Sequence, residues 1–443
     1  MVNAFVGSPM EMVMAVVCIP EYAAASGSLH LAGLLEKSSP STLVKPMRMT
    51  ASQTFTGLRL TVLCGLCLLL FTAQGASGQH SGNVVLRVDQ PVAISFGDVT
   101  LYGVLTLPAS EGPHPGIAII TGSAGPDGRA GASARTHIDH AHKFAAQGFA
   151  CLRYDPPGVG RSTGERGLDS LEARAGEALA VARFLQQQPD IEANRVGLWG
   201  VSQGGWVIAM AASESPQAIA FLIMVSGTTV SVAEQQVFGV EMQSRAAGIV
   251  GDDLVKAVLV CRLLIDWQVP SPIFETPNRG DLLTLGDGLW AELARIVYGS
   301  DVRTMDEELA QVIAILEAMD RQPWAASLYL GDLYVPNLRS IPPGSGTDLI
   351  DAVAESLLAS PASYFRLVEC PTLAVFGEDD VHVPVERSVA LLRDHFQASG
   401  NEDLTVVVFP DAGHSLNGFM PSYWEAVYSW LEALRERWAA DND

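Results

Sequence analysis

Basic residues are scarce in this chain of 443 residues: Lys and Arg number 27 against 49 Asp and Glu, a formal net charge of −22. A nucleic-acid partner needs a basic face to neutralise phosphate, and no cluster of cations supplies one, so that class of function is excluded. Cysteine is sparse too. Of the six, Cys18, Cys64 and Cys67 come early, which leaves Cys151, Cys261 and Cys370, an odd set that holds at most one disulfide and reads as small buried hydrophobes. No phosphate-cradling loop with its lysine and no dinucleotide fingerprint stands in the required place, so no cofactor is expected. No metal is expected either. His137, His140 and His142 cluster near Asp139, but His142 is five residues from His137 and two from His140, so the three do not share one helix face.

Long apolar runs are equally few. One stands out, Thr61 to Ala73, preceded by Leu58-Arg59-Leu60 and short for a membrane span. The small residues Ala73 to Gly78 follow it, as a signal peptidase requires, and Met47-Arg48-Met49 lies just upstream. Residues 1–78 are therefore expected to be a leader: an extension over 1–46, then a signal peptide cleaved near Gly75 to Gly78. Cleavage predicts an exported protein, periplasmic or secreted, with no stable membrane insertion afterwards; a retained membrane anchor is the alternative.

What is present in quantity is hydrophobic residues, 48% of the chain, and glycine, 41 residues, the composition of a globular protein with ample core. The most informative glycines flank a serine. Gly200-Val201-Ser202-Gln203-Gly204 follows the apolar run Arg195 to Trp199 and precedes Trp206 to Ala212, a helix without a breaker. This is the G-x-S-x-G nucleophile-elbow pattern, a strand turning sharply into a helix with the hydroxyl pushed out at the bend. A serine hydroxyl needs a histidine to take its proton and an acid to orient that histidine.

From residue 83 the chain alternates strands with helices, as a mostly parallel sheet covered on both faces would. Val84 to Val88 and Val92 to Leu107, broken at Gly97-Asp98, predict an antiparallel start of a strand and a hairpin. Strands follow at Gly116 to Ile120, Ala150 to Tyr154 and Ile219 to Val225, with helices near 130–147 and 170–188. Residues 232–361 hold helix-like segments and read as an inserted helical cap. The alternation resumes at Thr372 to Phe376 and ends in a helix over Tyr423 to Trp438. The expected organisation is a leader (1–78), a core in two pieces (79–231 and 362–443) and the cap (232–361).

The strand Thr372 to Phe376 runs into Gly377-Glu378-Asp379-Asp380, placing carboxylates at its carboxyl end, and Leu404 to Phe409 runs into Pro410-Asp411-Ala412-Gly413-His414. A histidine there is the expected base, in preference to His382, which lies in the acid loop itself. Gln203, at the start of its helix, offers a backbone N–H to a developing oxyanion.

With the order Ser, Asp, His, the chain resembles the α/β-hydrolase superfamily, in the serine-aminopeptidase-like and dienelactone-hydrolase-like esterase branch, from about residue 83 to the end apart from the cap. The resemblance implies an α/β-hydrolase fold: a mostly parallel sheet, helices on both faces and a helical cap insertion. It implies Asp380 as the acid, because Gly377, Asp380, Val383 and Pro384 match the family's G-x-x-D-x-x-V-P; Asp379 is the alternative. Thr121-Gly122-Ser123-Ala124-Gly125-Pro126 resembles the loop that supplies the second oxyanion N–H, from Ser123 or, one register on, from Ala124. Leu152 to Gly164 is similar to the family's R-Y-D-x-R-G-x-G-x-S-x-G segment but carries Pro157 where the family has arginine. The expected activity is cleavage of a small carboxylic ester through an acyl-enzyme, with Ser202, His414 and Asp380 as the triad. A short peptide or amide substrate, or acyl transfer or thioester cleavage by the same triad, is the alternative, and a binding protein that has lost turnover belongs to a different class. Asp301, Asp306, Glu307 and Glu308 read as a solvated helix start, or else as partners of a substrate amine. Trp267, Trp290, Trp324 and Tyr329 read as cap packing, or else as an acyl pocket.

Overall fold

A computed structural model describes residues 88–123, 130–165, 170–274, 288–299, 304–328, 330–344, 354 and 357–440. The leader expected over 1–78 lies outside them, as do Val84 to Arg87, Ala124, Asp301 and Tyr329.

Among the described residues eight strands form one sheet, in the order β1-β2-β4-β3-β5-β6-β7-β8. β1 (Val88–Phe96) and β2 (Val99–Leu107) form an antiparallel hairpin through Gly97, whose φ of +54° suits a residue without a Cβ. β2 pairs antiparallel with β4 (Ala150–Tyr154); β3 (His114–Ile120), β5 (Ile191–Val201), β6 (Leu222–Val225), β7 (Thr372–Gly377) and β8 (Leu404–Phe409) complete a parallel sheet with β4. The start of the sheet departs from the expected strand plus hairpin: Val88 belongs to a single strand that runs on to Phe96. Pro91 does not break it because β1 is an edge strand, where a missing N–H is tolerated.

The sheet has two packed faces because its central strands are apolar at consecutive positions. In β3, Ile117 and Ile119 enter one core while Ala118 and Ile120 enter the other. The first face is covered by α1 (Arg135–Ala146) and α11 (Pro421–Ala440), through Phe144, Trp424 and Leu431. The second is covered by α2 (Leu171–Gln186), α3 (Gln203–Glu214) and α9 (Val385–Ser399), through Leu179, Val207 and Leu392. Between β6 and β7 run α4 (Val232–Ala246), α5 (Gly251–Trp267), α6 (Gly288–Tyr298), α7 (Met305–Asp320) and the short α8 (Val335–Arg339). Capping boxes start two of them, Ser231 with Glu234 and Thr304 with Glu307. Leu263, Trp290 and Leu316 of these helices belong to the same apolar cluster as Leu198 and Val207, so the helical segment continues the second core. Each fully buried leucine of that kind contributes on the order of 2 kcal/mol.

Cys151, Cys261 and Cys370 are free and buried, and burial pushes the Cys261 and Cys370 thiols up to about 12. No helix among the described residues is long and apolar enough to cross a membrane.

Candidate active site

β5 ends where its neighbours still support it. Ser202 N donates to Val225 O at 2.8 Å, extending the β5–β6 register by one residue, and the chain then folds into α3 as Gly205 N donates to Ser202 O at 2.8 Å. Between these bonds Ser202 takes φ 54° and ψ −125°, a left-handed conformation that is costly for a residue with a Cβ. The flanking glycines make the turn possible. A Cβ on Gly204 would lie 2.6 Å from Ile120 O and 2.7 Å from Thr121 O, and one on Gly200 would strike Gly204 O. Although Ser202 occupies the N-cap position of α3, its hydroxyl makes no capping bond.

The acid loop and the histidine loop meet because Gly377, at the end of β7, passes directly beneath the other loop. A Cβ on Gly377 would lie 2.6 Å from Gly413 O, and Asp379 N donates to Ala412 O at 2.9 Å. His414 Nδ1 is 2.7 Å from Asp380 Oδ2. Asp380 Oδ1 accepts from His382 N at 2.8 Å and Val383 N at 3.0 Å, so the buried carboxylate is oriented before it meets the ring. An ionised carboxylate only accepts, hence Nδ1 carries the hydrogen and Nε2 keeps a lone pair. Asp379, by contrast, is exposed. His382 sits beside His414, with ring centroids 5.0 Å apart at 76°, and its carbonyl accepts from Gln235 Nε2 of α4 at 3.1 Å.

Ser202, Gln203, Ser123 and His414 all line one cavity of about 270 Å³, walled by Trp206, Val383 and Phe419, with Asp380 behind His414. Of the expected site residues, Ala124 alone falls outside the described chain.

Two residues of the site were not singled out from the sequence. Arg174, buried on the core side of α2, donates from Nη2 to Thr121 O at 2.6 Å and Gly122 O at 3.0 Å, and from Nη1 to the side-chain oxygen of Gln203. With both carbonyls drawn toward the guanidinium, the loop before Ser123 is held in register with the start of α3. The legible signal was an arginine among Ala175, Ala178 and Ala182 on the helix's buried face. Ser226, at φ 49° after β6, donates its hydroxyl to His414 O at 2.8 Å while its N–H donates to Val375 O at 2.8 Å. It ties the histidine loop to the middle of the sheet.

The other candidates separate. His137 Nδ1 is 3.0 Å from Gly131 O, and His140 Nδ1 is 2.6 Å from Thr136 O. The His140 ring packs 4.4 Å from Phe419 and 4.7 Å from both Trp199 and Trp424, and burial pushes its pKa down to about 3. His142 lies 3.9 Å from Asp89 instead. No group of three or more metal-ligating side chains converges among the described residues. In the helical segment Trp290 and Trp324 pack at 5.3 Å, Trp267 Nε1 donates to Glu308 at 3.3 Å, Glu307 closes a capping box and Asp306 accepts from Gly344 N.

The sequence profile of the serine aminopeptidase S33 hydrolases matches residues 127–418, well over half the chain, and takes in Ser202, Asp380 and His414 but not Ser123. The chain belongs to that family. It is an α/β hydrolase. An uncharacterized 31.7 kDa protein of Escherichia coli is 35% identical over 74 residues, 17% of this chain and 26% of that protein. The polyketide transferase grgF of a Penicillium species is 30% identical over 119 residues, 26% of this chain and 40% of that protein. The chain thus spans less than half the length of these relatives. Est1E of Butyrivibrio proteoclasticus with bound ferulic acid aligns at a TM-score of 0.44 and 16% identity, covering 77% of this chain and 98% of that one.

Proposed function

We propose that this hydrolase cleaves a small carboxylic ester through an acyl-enzyme formed on Ser202. Ser202 Oγ attacks the carbonyl carbon as its proton passes to His414 Nε2, and Asp380 holds the imidazolium that results. The carbonyl oxygen, now an anion, is held by the backbone N–H groups of Gln203 and Ser123. The intermediate collapses, the C–O bond to the alcohol breaks, and the alcohol leaves with the proton from His414. Water then repeats the sequence on the acyl-enzyme and releases the acid. The observation that carries this reading is the 2.7 Å contact of His414 Nδ1 with Asp380 behind the cavity that Ser202 also lines.

The choice of ester over amine-terminal peptide rests on the cavity wall. Its described lining residues include no Asp, Glu, Lys or Arg to pair a substrate ammonium, while Trp206, Val232 and Phe419 offer apolar surface. The name of the matched Penicillium relative, a polyketide transferase, supports a second reading in which an alcohol or thiol replaces water in the second step. The helices between β6 and β7 act as a cap in this scheme, since Val232 and Gln235 of α4 reach the cavity. Export after leader cleavage completes the proposal.

A fluorophosphonate probe on the purified protein should label Ser202 and block hydrolysis of aryl esters. Equal labelling of Ser202→Ala, or turnover of aminoacyl anilides in preference to aryl esters, would overturn the proposal.

A further inference from the structure

His137 and His140 lie one helical turn apart on α1 and share a local chemistry, yet the fold treats them differently. Each ring has its Nδ1 within hydrogen-bond distance of a backbone carbonyl, Gly131 O at 3.0 Å for His137 and Thr136 O at 2.6 Å for His140. A carbonyl oxygen can only accept, so in both rings Nδ1 carries the hydrogen and donates. In a neutral ring Nε2 is then an acceptor. Burial, with the charge of Arg153 adding to it, holds the His137 pKa below its usual 6.5, so the ring is neutral at neutral pH.

The two Nε2 atoms have different surroundings. That of His140 is sealed among aromatic rings with no partner, and His140 does not line the cavity. His137 does line it, and its Nε2 is not among the sealed polar atoms. Among the described residues none bonds that atom. Thr136, Trp199, Val201 and Phe419 line the same cavity. The one polar group of Trp199 is already committed, its Nε1–H donating to Tyr423 at 2.8 Å. A lone pair presented to a mostly apolar cavity is satisfied by water while the site is open. Once substrate expels that water, the acceptor costs free energy unless the substrate offers a donor in its place.

We infer that His137 Nε2 is a substrate-recognition acceptor, and that the preferred substrate is an ester bearing a hydroxyl group, which donates to it inside the cavity that His137 and Phe419 of α10 (Leu416–Phe419) both line. The inference rests on the ester reading proposed above and names the substrate class for that site. His137 makes no bond to the reacting atoms; it selects. A methyl ether in place of the hydroxyl both removes the donor and leaves the acceptor buried and unpaired, the situation in which polar sites discriminate most strongly. The hydroxyl can sit on the acyl or on the alcohol portion of the ester, and the chemistry at Nε2 is the same.

The test is a comparison of kcat/KM for matched pairs on the purified protein. One arm uses methyl esters of phenylpropanoic acids carrying a ring hydroxyl at the 2, 3 or 4 position against their methyl ethers. The other uses acetate esters of the three hydroxybenzyl alcohols against their methyl ethers. In one of the arms the hydroxylated member should be favoured by about 10- to 100-fold, and His137→Phe, which keeps a planar ring and removes the acceptor, should bring the pair to within about threefold. The arm that discriminates identifies the portion bearing the hydroxyl. Equal turnover of every pair by the unaltered protein overturns the inference, as does a preference that survives in His137→Phe. Should His137→Phe fail to fold, shown by loss of its melting transition and of fluorophosphonate labelling, the comparison on the unaltered protein still decides. Failure of the ester reading is read separately, as hydrolysis that persists in Ser202→Ala.

Discussion

Asp380→Asn alters one terminal atom of the acid and should remove most of the activity. Oδ1 accepts from His382 N at 2.8 Å and Val383 N at 3.0 Å, so the amide oxygen takes that place and the new NH₂ group lands opposite His414 Nδ1, where Oδ2 stood at 2.7 Å. Two donors then face each other. Nδ1 must give up its hydrogen, the proton moves to Nε2, and the lone pair that would accept the Ser202 proton is gone. The only escape is to rotate the amide, which sets its NH₂ against the two backbone N–H groups and leaves both unsatisfied, at about 1–3 kcal/mol each. Restoring the right tautomer therefore costs about 2–6 kcal/mol, a fall in kcat of about 30-fold to 10⁴-fold. The upper end equals the loss of about 10⁴ known for the same change in the serine-protease triad. Asp379→Asn, on an exposed side chain away from His414, should stay within about twofold, as surface changes do. The assay is kcat on an aryl ester together with the rate of fluorophosphonate labelling, with a melting curve for each variant. Asp380→Asn within tenfold of the unaltered protein, or Asp379→Asn falling as far, would refute the reasoning.

Arg174→Lys should lower kcat by roughly the loss of one oxyanion donor, about 10²- to 10³-fold, with KM little changed, because one ammonium cannot reach Thr121 O, Gly122 O and Gln203 together. Binding of a boronic-acid transition-state analogue should weaken in parallel, and an unchanged analogue affinity would limit Arg174 to stability. His140 governs stability at low pH: its folded pKa, pushed down to about 3 by burial, lies below the unfolded 6.5, so the unfolded chain binds the extra proton between these values. That contribution is complete above pH 6.5 and is lost as pH falls toward 3, about 3 kcal/mol between pH 7 and pH 4. Urea unfolding of His140→Phe should show a slope with pH that is flatter by that amount, and an unaltered slope would contradict the assignment.

Much of this protein is legible along the chain because its decisive signals are local. A strand that turns into a helix needs glycine where a Cβ would strike backbone, so Gly200 and Gly204 mark the elbow wherever the rest of the fold lies. Alternating apolar runs and amphipathic helices likewise announce a parallel sheet, since each strand must be covered on both faces. The departures arise where distance in sequence hides proximity in space. Arg174 is an arginine on an alanine-rich helix until the fold brings Thr121 and Gly122, about fifty residues earlier, under its guanidinium. Ser226 ends a strand until His414 arrives against its hydroxyl. Asp379 and Asp380 are adjacent carboxylates, and only the packing of Gly377 beneath Gly413 decides which of them faces the histidine. His137 and His140 differ least of all in sequence. The cavity, which no single segment encodes, leaves one ring open to a ligand and encloses the other in aromatic side chains.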